Sequence, residues 1–388
     1  MLVRNIPNLF GGRLHLIISP NKRSRTMRKV FTLLVFVGVA LATETRVAAM
    51  GNLYQFILDD EALVIQDNPA YITKFPNLSV TEMSTQKDLQ LGKAYGGILA
   101  GQGLVVLGFY LNNPLYTFPT LDGTRDAYGL TFALGSGTGF GWGMRFGYAA
   151  HQEGDTGYTI KGTRYDLSPG LVMPLGGGHM SAFGQVQLSS YSDNSSGPDS
   201  ILEPLSRFSS LGFGLRYAGS GSLRLILGSS IYRNDNGKKT GDSSLANITT
   251  GGTLFVGVNG RPLNMGLVVG GLTVDAYRRH GNGDSGLDEL RVLLGLGSEM
   301  NIGSWFIFRS NMSKFLFIYR KEKMADPENP STFIGSSGFV GSFGMGLVFG
   351  PARLDATLSE DILYHGPYFL TGSDSNFVME LAFLYRFF

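Results

Sequence analysis

From Phe140 to Tyr148 the chain keeps a strict period of two: Phe140, Trp142, Met144, Phe146 and Tyr148 alternate with Gly141, Gly143, Arg145 and Gly147. Such a stretch can only be a β-strand with two unlike faces. A strand of a soluble sandwich also alternates, but its apolar face then needs a core supplied from elsewhere in the chain. Here the same pattern simply recurs. Leu130, Phe132 and Leu134 alternate with Thr131 and Ala133; Leu211, Phe213, Leu215 and Tyr217 with Gly212, Gly214 and Arg216; Leu223, Leu225 and Leu227 with Arg224 and Ile226; Phe343, Met345, Leu347 and Phe349 with Gly344, Gly346 and Val348. One face is bulky and apolar, and the other mostly carries glycine, small residues or arginine. Hydrocarbon rewards the first face and a wet or crowded interior takes the second, so the pattern predicts an all-β, transmembrane, antiparallel up-and-down β-barrel.

The 388 residues would ordinarily divide into two or three soluble domains, yet no helical or linker-like break interrupts the alternation, and one large barrel absorbs the length. The 55 glycines follow no collagen period and fall within strands and turns. Glycine weakens a strand unless something approaches closely, and a crowded lumen is such a reason. The chain has no cysteine, which excludes disulfides, thiolate metal sites and cysteine nucleophiles.

Met27-Arg28-Lys29, the apolar run Val30 to Leu41 and the small residues Ala40-Leu41-Ala42 read as a secretory signal peptide. The apolar run falls short of the roughly 20 residues that a membrane-spanning helix needs. Residues 1–42 are therefore expected to be an upstream extension and signal peptide. They hold seven of the 32 Lys and Arg and no acid, so the formal charge of +2 hides a remainder of 25 basic against 30 acidic residues. No basic footprint for nucleic acid is left.

Residues 43–77 lack the alternation. They contain Met50-Gly51, Asp59-Asp60 and Asp67-Asn68-Pro69-Ala70, and read as a short helix or irregular segment ending in a proline-directed turn. An acidic pair followed by Asn-Pro-Ala ahead of the first strand resembles the N-terminal hatch of the FadL-like outer-membrane transporters of hydrophobic molecules. The matching residues are Asp59, Asp60, Asn68, Pro69 and Ala70; where that family usually has an aromatic before the Asn and a glycine after the Ala, this chain has Asp67 and Tyr71. The resemblance implies a plug within the lumen of a 14-stranded barrel and a hydrophobic small-molecule ligand.

Residues 78–388 form the expected barrel. Long polar connections near 112–126, 150–157, 191–204, 233–243, 278–286, 320–332 and 364–375 alternate with short ones such as Gly176-Gly177-Gly178 and Gly350-Pro351, as expected for a bacterial outer-membrane barrel with short turns at one rim and long loops at the other. Counting from Gln102 to Phe387 gives 14 strands, and two weaker candidates between Leu78 and Leu99 would make 16. Phe383, Tyr385, Phe387 and Phe388 resemble the terminal signal read by the outer-membrane assembly machinery, and Tyr110, Tyr148, Tyr232 and Tyr277 are expected in interfacial girdles, against membrane lipid.

Parity places Arg145, Arg216, Arg224, Arg291 and Arg353 on the lumen side with Glu289, Glu299, Asp355 and Glu380. Facing lipid at mid-depth, each arginine would cost roughly 2–4 kcal/mol. These charges either fill a narrow barrel as ion pairs or line a path that orients a solute. Signals for chemistry are weaker. Gly283-Asp284-Ser285-Gly286 and Asn234-Asp235-Asn236-Gly237 are turn-forming sequences that only partly match a serine-protease nucleophile and a calcium loop. His151 beside Glu153 and Asp155, or His280 beside Asp284 and Ser285, could be imagined in a rim catalytic site, but histidines in polar surface loops are ordinarily solvated, and that reading is preferred. No metal-ligand spacing, cofactor motif or enzyme is read. The expected function is passive passage of a hydrophobic or amphipathic small molecule across the outer membrane; a structural or partner-binding barrel and a general porin are the alternatives.

Overall fold

The computed structural model describes residues 68–85, 91–102, 105–111, 128–137, 140–155, 158–193, 202–204, 208–235, 238–240, 243–245, 247–261, 266–281, 286–323, 331–358 and 378–387. Sixteen strands make one antiparallel barrel: β1 (Leu78–Thr85), β2 (Leu91–Gln102), β3 (Val105–Leu111), β4 (Tyr128–Gly137), β5 (Gly141–Asp155), β6 (Tyr158–Leu175), β7 (Gly178–Asp193), β8 (Phe208–Ala218), β9 (Leu223–Asp235), β10 (Ile248–Gly260), β11 (Gly266–His280), β12 (Gly286–Ile302), β13 (Phe306–Lys323), β14 (Phe339–Phe349), β15 (Ala352–Leu358) and β16 (Val378–Arg386). Each pairs with the next, and β16 pairs with β1 from Leu78↔Arg386 to Ser84↔Glu380, which closes the sheet and removes its edges. Four short strands, Leu202–Pro204, Lys238–Thr240, Ser243–Leu245 and Ser331–Gly335, add pairing at the loop side.

The 14 strands counted from Gln102 onward are β3 to β16, and β1 and β2 complete sixteen, not fourteen. The weak pattern of β1 has a physical reason: it is inverted. Leu78 and Val80, paired with Leu99 and Gly97, are almost wholly buried, and the alternate face carries the small polar Ser79 and Thr81, which are buried as well.

Elsewhere the bulky face points out. Trp142, Phe146 and Tyr148 on β5, Phe213 and Leu215 on β8, Leu225 and Leu227 on β9, and Leu294 and Leu296 on β12 are all exposed, while Arg145, Arg216, Asn259 and Glu299 between or beside them are buried. A soluble monomer rarely exposes more than a few hundred Å² of contiguous apolar surface, whereas this wall is apolar on strand after strand. Hydrocarbon is the solvent that such a wall matches.

Three of the tyrosines expected at the interface turn inward instead. Tyr110 is 1 % exposed and lies over Gly97, and Tyr232 and Tyr277 flank Gly251 in one cross-strand row. Phe183 over Gly214 and Phe255 over Gly228 repeat the arrangement. The strand glycines thus make room for aromatics of the neighbouring strand. Tyr148 does face outward, its ring tilted against that of Tyr165 with centres 5.3 Å apart.

Candidate functional site

One row of inward positions, read across the registers, runs Val106, Gly135, Gly143, Gly170, Phe183 from β3 to β7. Three abreast have no side chain. Into this trough packs the 3-10 turn Pro69–Lys74. A Cβ on Gly143 would overlap the Pro69 carbonyl, one on Gly170 would overlap the Asn68 side-chain oxygen, and one on Gly135 would overlap Ile72. The glycines are therefore required by close approach, the exception under which glycine is tolerated within a strand.

Asn68 opens the turn. Its Oδ1 accepts from the Ala70 N–H at 3.0 Å, and Pro69 occupies the first helical position, where a missing N–H costs nothing. The Asn-Pro pair thus opens the proline-directed turn expected there. The Asn68 Nδ2 donates to the carbonyls of Leu171 and Ala182, both at 3.3 Å, on the paired strands β6 and β7. Just beyond, the β6–β7 register passes from Leu167↔Val186 to Gly170↔Phe183, skipping Ser168 and Pro169. Proline has no N–H to give to the ladder there.

Tyr71 is the second anchor. Its hydroxyl accepts from the Arg216 Nη1 at 2.8 Å and donates to the Ser181 Oγ at 3.2 Å; its ring has the Lys74 ammonium 4.3 Å from its centre and lies edge-on to His179. Ala70, Tyr71 and Ile72 join Leu78, Val80, Leu99, Val106, Tyr110 and Leu384 in one buried apolar cluster. This explains the inverted pattern of β1: its inner face meets that cluster.

The inward charges fall into separate groups. Arg145, fully buried, donates from Nε to the Asp166 carboxylate at 3.1 Å and from Nη2 to the Ser168 hydroxyl at 2.7 Å. Arg309 bridges Glu299 (2.8 Å) and Asp355 (2.7 Å), and Asp355 also takes Arg353 at 2.8 Å. Arg309 reaches Asp355 across β14 because Gly346 lies between, where a Cβ would sit 2.5 Å from the Asp355 carboxylate and 3.2 Å from the guanidinium. Nearer the loops, Glu289 gathers Arg291, Arg320 at 2.9 Å and the Tyr277 hydroxyl at 2.8 Å. Arg224 donates to Asn259 at 2.9 Å, and Glu380 stands opposite Thr357 in the β15–β16 register.

Pairs such as these are the bland arrangement, ion pairs that fill the wall. Arg309 and Asp166 escaped the sequence reading, and Tyr71 entered it only as a departure from the hatch motif, although Arg309 between Phe308 and Ser310, and Asp166 between Tyr165 and Leu167, carry the same parity signal as Arg145. Asp59 and Asp60 lie outside the described residues, as do Phe388 and the loop residues Asp284 and Ser285. Phe383 and Tyr385 are half-buried on the closing strand, and the Phe387 N–H donates to the Asn77 carbonyl at 2.9 Å. Among the described residues no group of three His, Asp or Glu could hold a metal ion.

The closed, apolar-walled sheet defines the class: a membrane-spanning antiparallel β-barrel with its polar groups turned inward. No protein-family model matches the chain. No curated protein matches it. Among solved structures it is similar to the CymD monoaromatic hydrocarbon channel, at 10% identity over 90% of this chain and 98% of that one, with a TM-score of 0.37. It is also similar to the copper transporter OprC, at 11% identity over 72% of this chain, with a TM-score of 0.38; the match spans 60% of that protein's length. The outer-membrane expressed OmpT of Vibrio cholerae is a third, at 9% identity, 80% of this chain, 95% of that one and a TM-score of 0.32.

Proposed function

We propose that this chain is an outer-membrane barrel that passes a hydrophobic or amphipathic small molecule, with the segment ending at Lys74 acting as a hatch, as in the FadL-like transporters its Asn-Pro-Ala motif resembles. The observation that carries the proposal is the trough: three glycines abreast, Asn68 bonded to two strand carbonyls, and Tyr71 held by Arg216 and Ser181. A wall built only to fill itself has no need of a side-chain-free row shaped to another segment. In this reading solute is captured at the loop rim, passes the inward charges and is released when the turn leaves its trough or at the lapse in the β6–β7 ladder. The final strand, with Phe383, Tyr385 and Phe387, serves the barrel assembly machinery.

The test is uptake of a lipophilic fluorescent probe by cells or proteoliposomes carrying the full chain or a copy lacking residues 43–76. Saturable uptake that loses its selectivity in the deletion supports the hatch. Uptake restored equally by both copies rejects it, and no uptake or binding by either favours the structural barrel.

A further inference from the structure

The outer wall of a barrel is convex, yet one stretch of this one is hollow. A cleft of about 610 Å³ opens on the outward face of β3 to β7, almost wholly apolar. The strand registers explain how it forms. Phe109, Phe132, Phe146, Leu167 and Val186 are direct cross-strand neighbours, so they stand in one row across five strands. Two residues toward the loops, Tyr148, Tyr165 and Leu188 form a second row. Between the rows lies an inward-facing register in which Gly147 and Asp166 floor the cleft. Gly147 contributes no side chain, and Asp166 turns its carboxylate away to Arg145, Ser168 and Gln185. The two rows are thus the walls of a trench.

We propose that this trench is a lipid site, holding one acyl chain of a membrane lipid against the barrel; the proposal rests on the membrane-spanning wall and not on the hatch. Four observations select that occupant. The trench is continuous with the apolar wall that already faces hydrocarbon, with Phe109, Phe132 and Phe146 about half exposed. Its volume lies within the roughly 300–1,000 Å³ of small-molecule sites. Its direction fits as well: strands tilt about 45° to the bilayer normal, so a row running across them also descends obliquely from the interface toward mid-membrane. The paired rings of Tyr148 and Tyr165 stand on the loop-side wall, where amphipathic rings meet headgroups. The trench adds no hydrophobic driving force, because lipid tails are as apolar as its walls; what it adds is contact on several sides of one chain, where a convex wall touches one side.

The test uses single-tryptophan reporters in the full chain, with Trp142→Phe and Trp305→Phe as background and folding verified by heat-modifiable gel migration. Phe132→Trp reports from the trench, and Leu296→Trp, exposed on the convex face of β12, is the control. In vesicles containing a small fraction of lipid brominated on its acyl chains, quenching of the trench reporter should exceed that of the control by about twofold or more. Adding Phe146→Ala, Leu167→Ala, Tyr148→Ala and Tyr165→Ala, which cuts back both walls at their centre, should abolish the excess. Equal quenching at both positions overturns the proposal, as does an excess that survives removal of the walls. A lack of excess with bromolipid alongside strong quenching by a free brominated fatty acid would also overturn it, identifying the trench as a place for solute.

Discussion

Replacing Tyr71 with phenylalanine removes one oxygen from the anchored turn and leaves its ring in place. That oxygen accepts a bond from the Arg216 guanidinium at 2.8 Å and donates to Ser181 at 3.2 Å, in a site where Tyr71 is 2 % exposed. A hydrogen bond to a charged group is worth about 1.5–3 kcal/mol net, so the population with the turn displaced should rise roughly 10- to 150-fold. The ring's contacts with Lys74 and with the cluster of Ile72 and Val80 persist, so the barrel itself should melt unchanged. The assay is the frequency of open events in planar bilayers, wild type against Tyr71→Phe, Arg216→Met and the double variant. Because both single variants break the same bond, their effects should be strongly non-additive. Simple addition of the two, or no change in opening with Tyr71→Phe, would refute the idea that this hydroxyl holds the turn in its trough.

Other changes probe the trough and the wall. Gly143→Val sets a side chain where the Pro69 carbonyl lies, so it should expel the turn and give a barrel that conducts even with residues 43–76 present, checked by conductance and by protease access to that segment. Asp355→Leu takes one carboxylate from a fully buried Arg309 and should cost about 3–5 kcal/mol in urea unfolding, whereas Asp355→Leu combined with Arg309→Met and Glu299→Gln, which also removes the buried carboxylate that Arg309 pairs, should recover most of the loss. Phe213→Arg on the outward face of β8 should lower folding stability in vesicles by roughly 2–4 kcal/mol.

Where the sequence was legible, a single physical demand acted on each strand face. β5 faces hydrocarbon with Phe146 and the lumen with Arg145, and the period of two says so unaided. β1 was read poorly because its inner face meets Tyr71 and Ile72 of the same chain, so Leu78 and Val80 point inward and the pattern reverses. Tyr110 and Tyr277 were misplaced for a related cause: an amphipathic ring near a strand end suits an interface and a crowded lumen equally, and only the glycine across the ladder, Gly97 or Gly251, tells them apart. The trough was half visible. The surplus of glycines announced close approach, but the alignment of Gly135, Gly143 and Gly170 depends on register, which no single strand encodes. Arg309 and its acceptors were readable in parity, while its reach across Gly346 to Asp355 was not.

Under the proposed function, the turn anchored in the trough closes an otherwise passable barrel. Single-channel conductance of refolded protein spanning 43–388 in a planar bilayer, beside the same protein lacking residues 43–76, tests it most directly. Near silence is expected from the first and steady conductance from the second. Equal steady conductance from both, or silence from both, would contradict that reading.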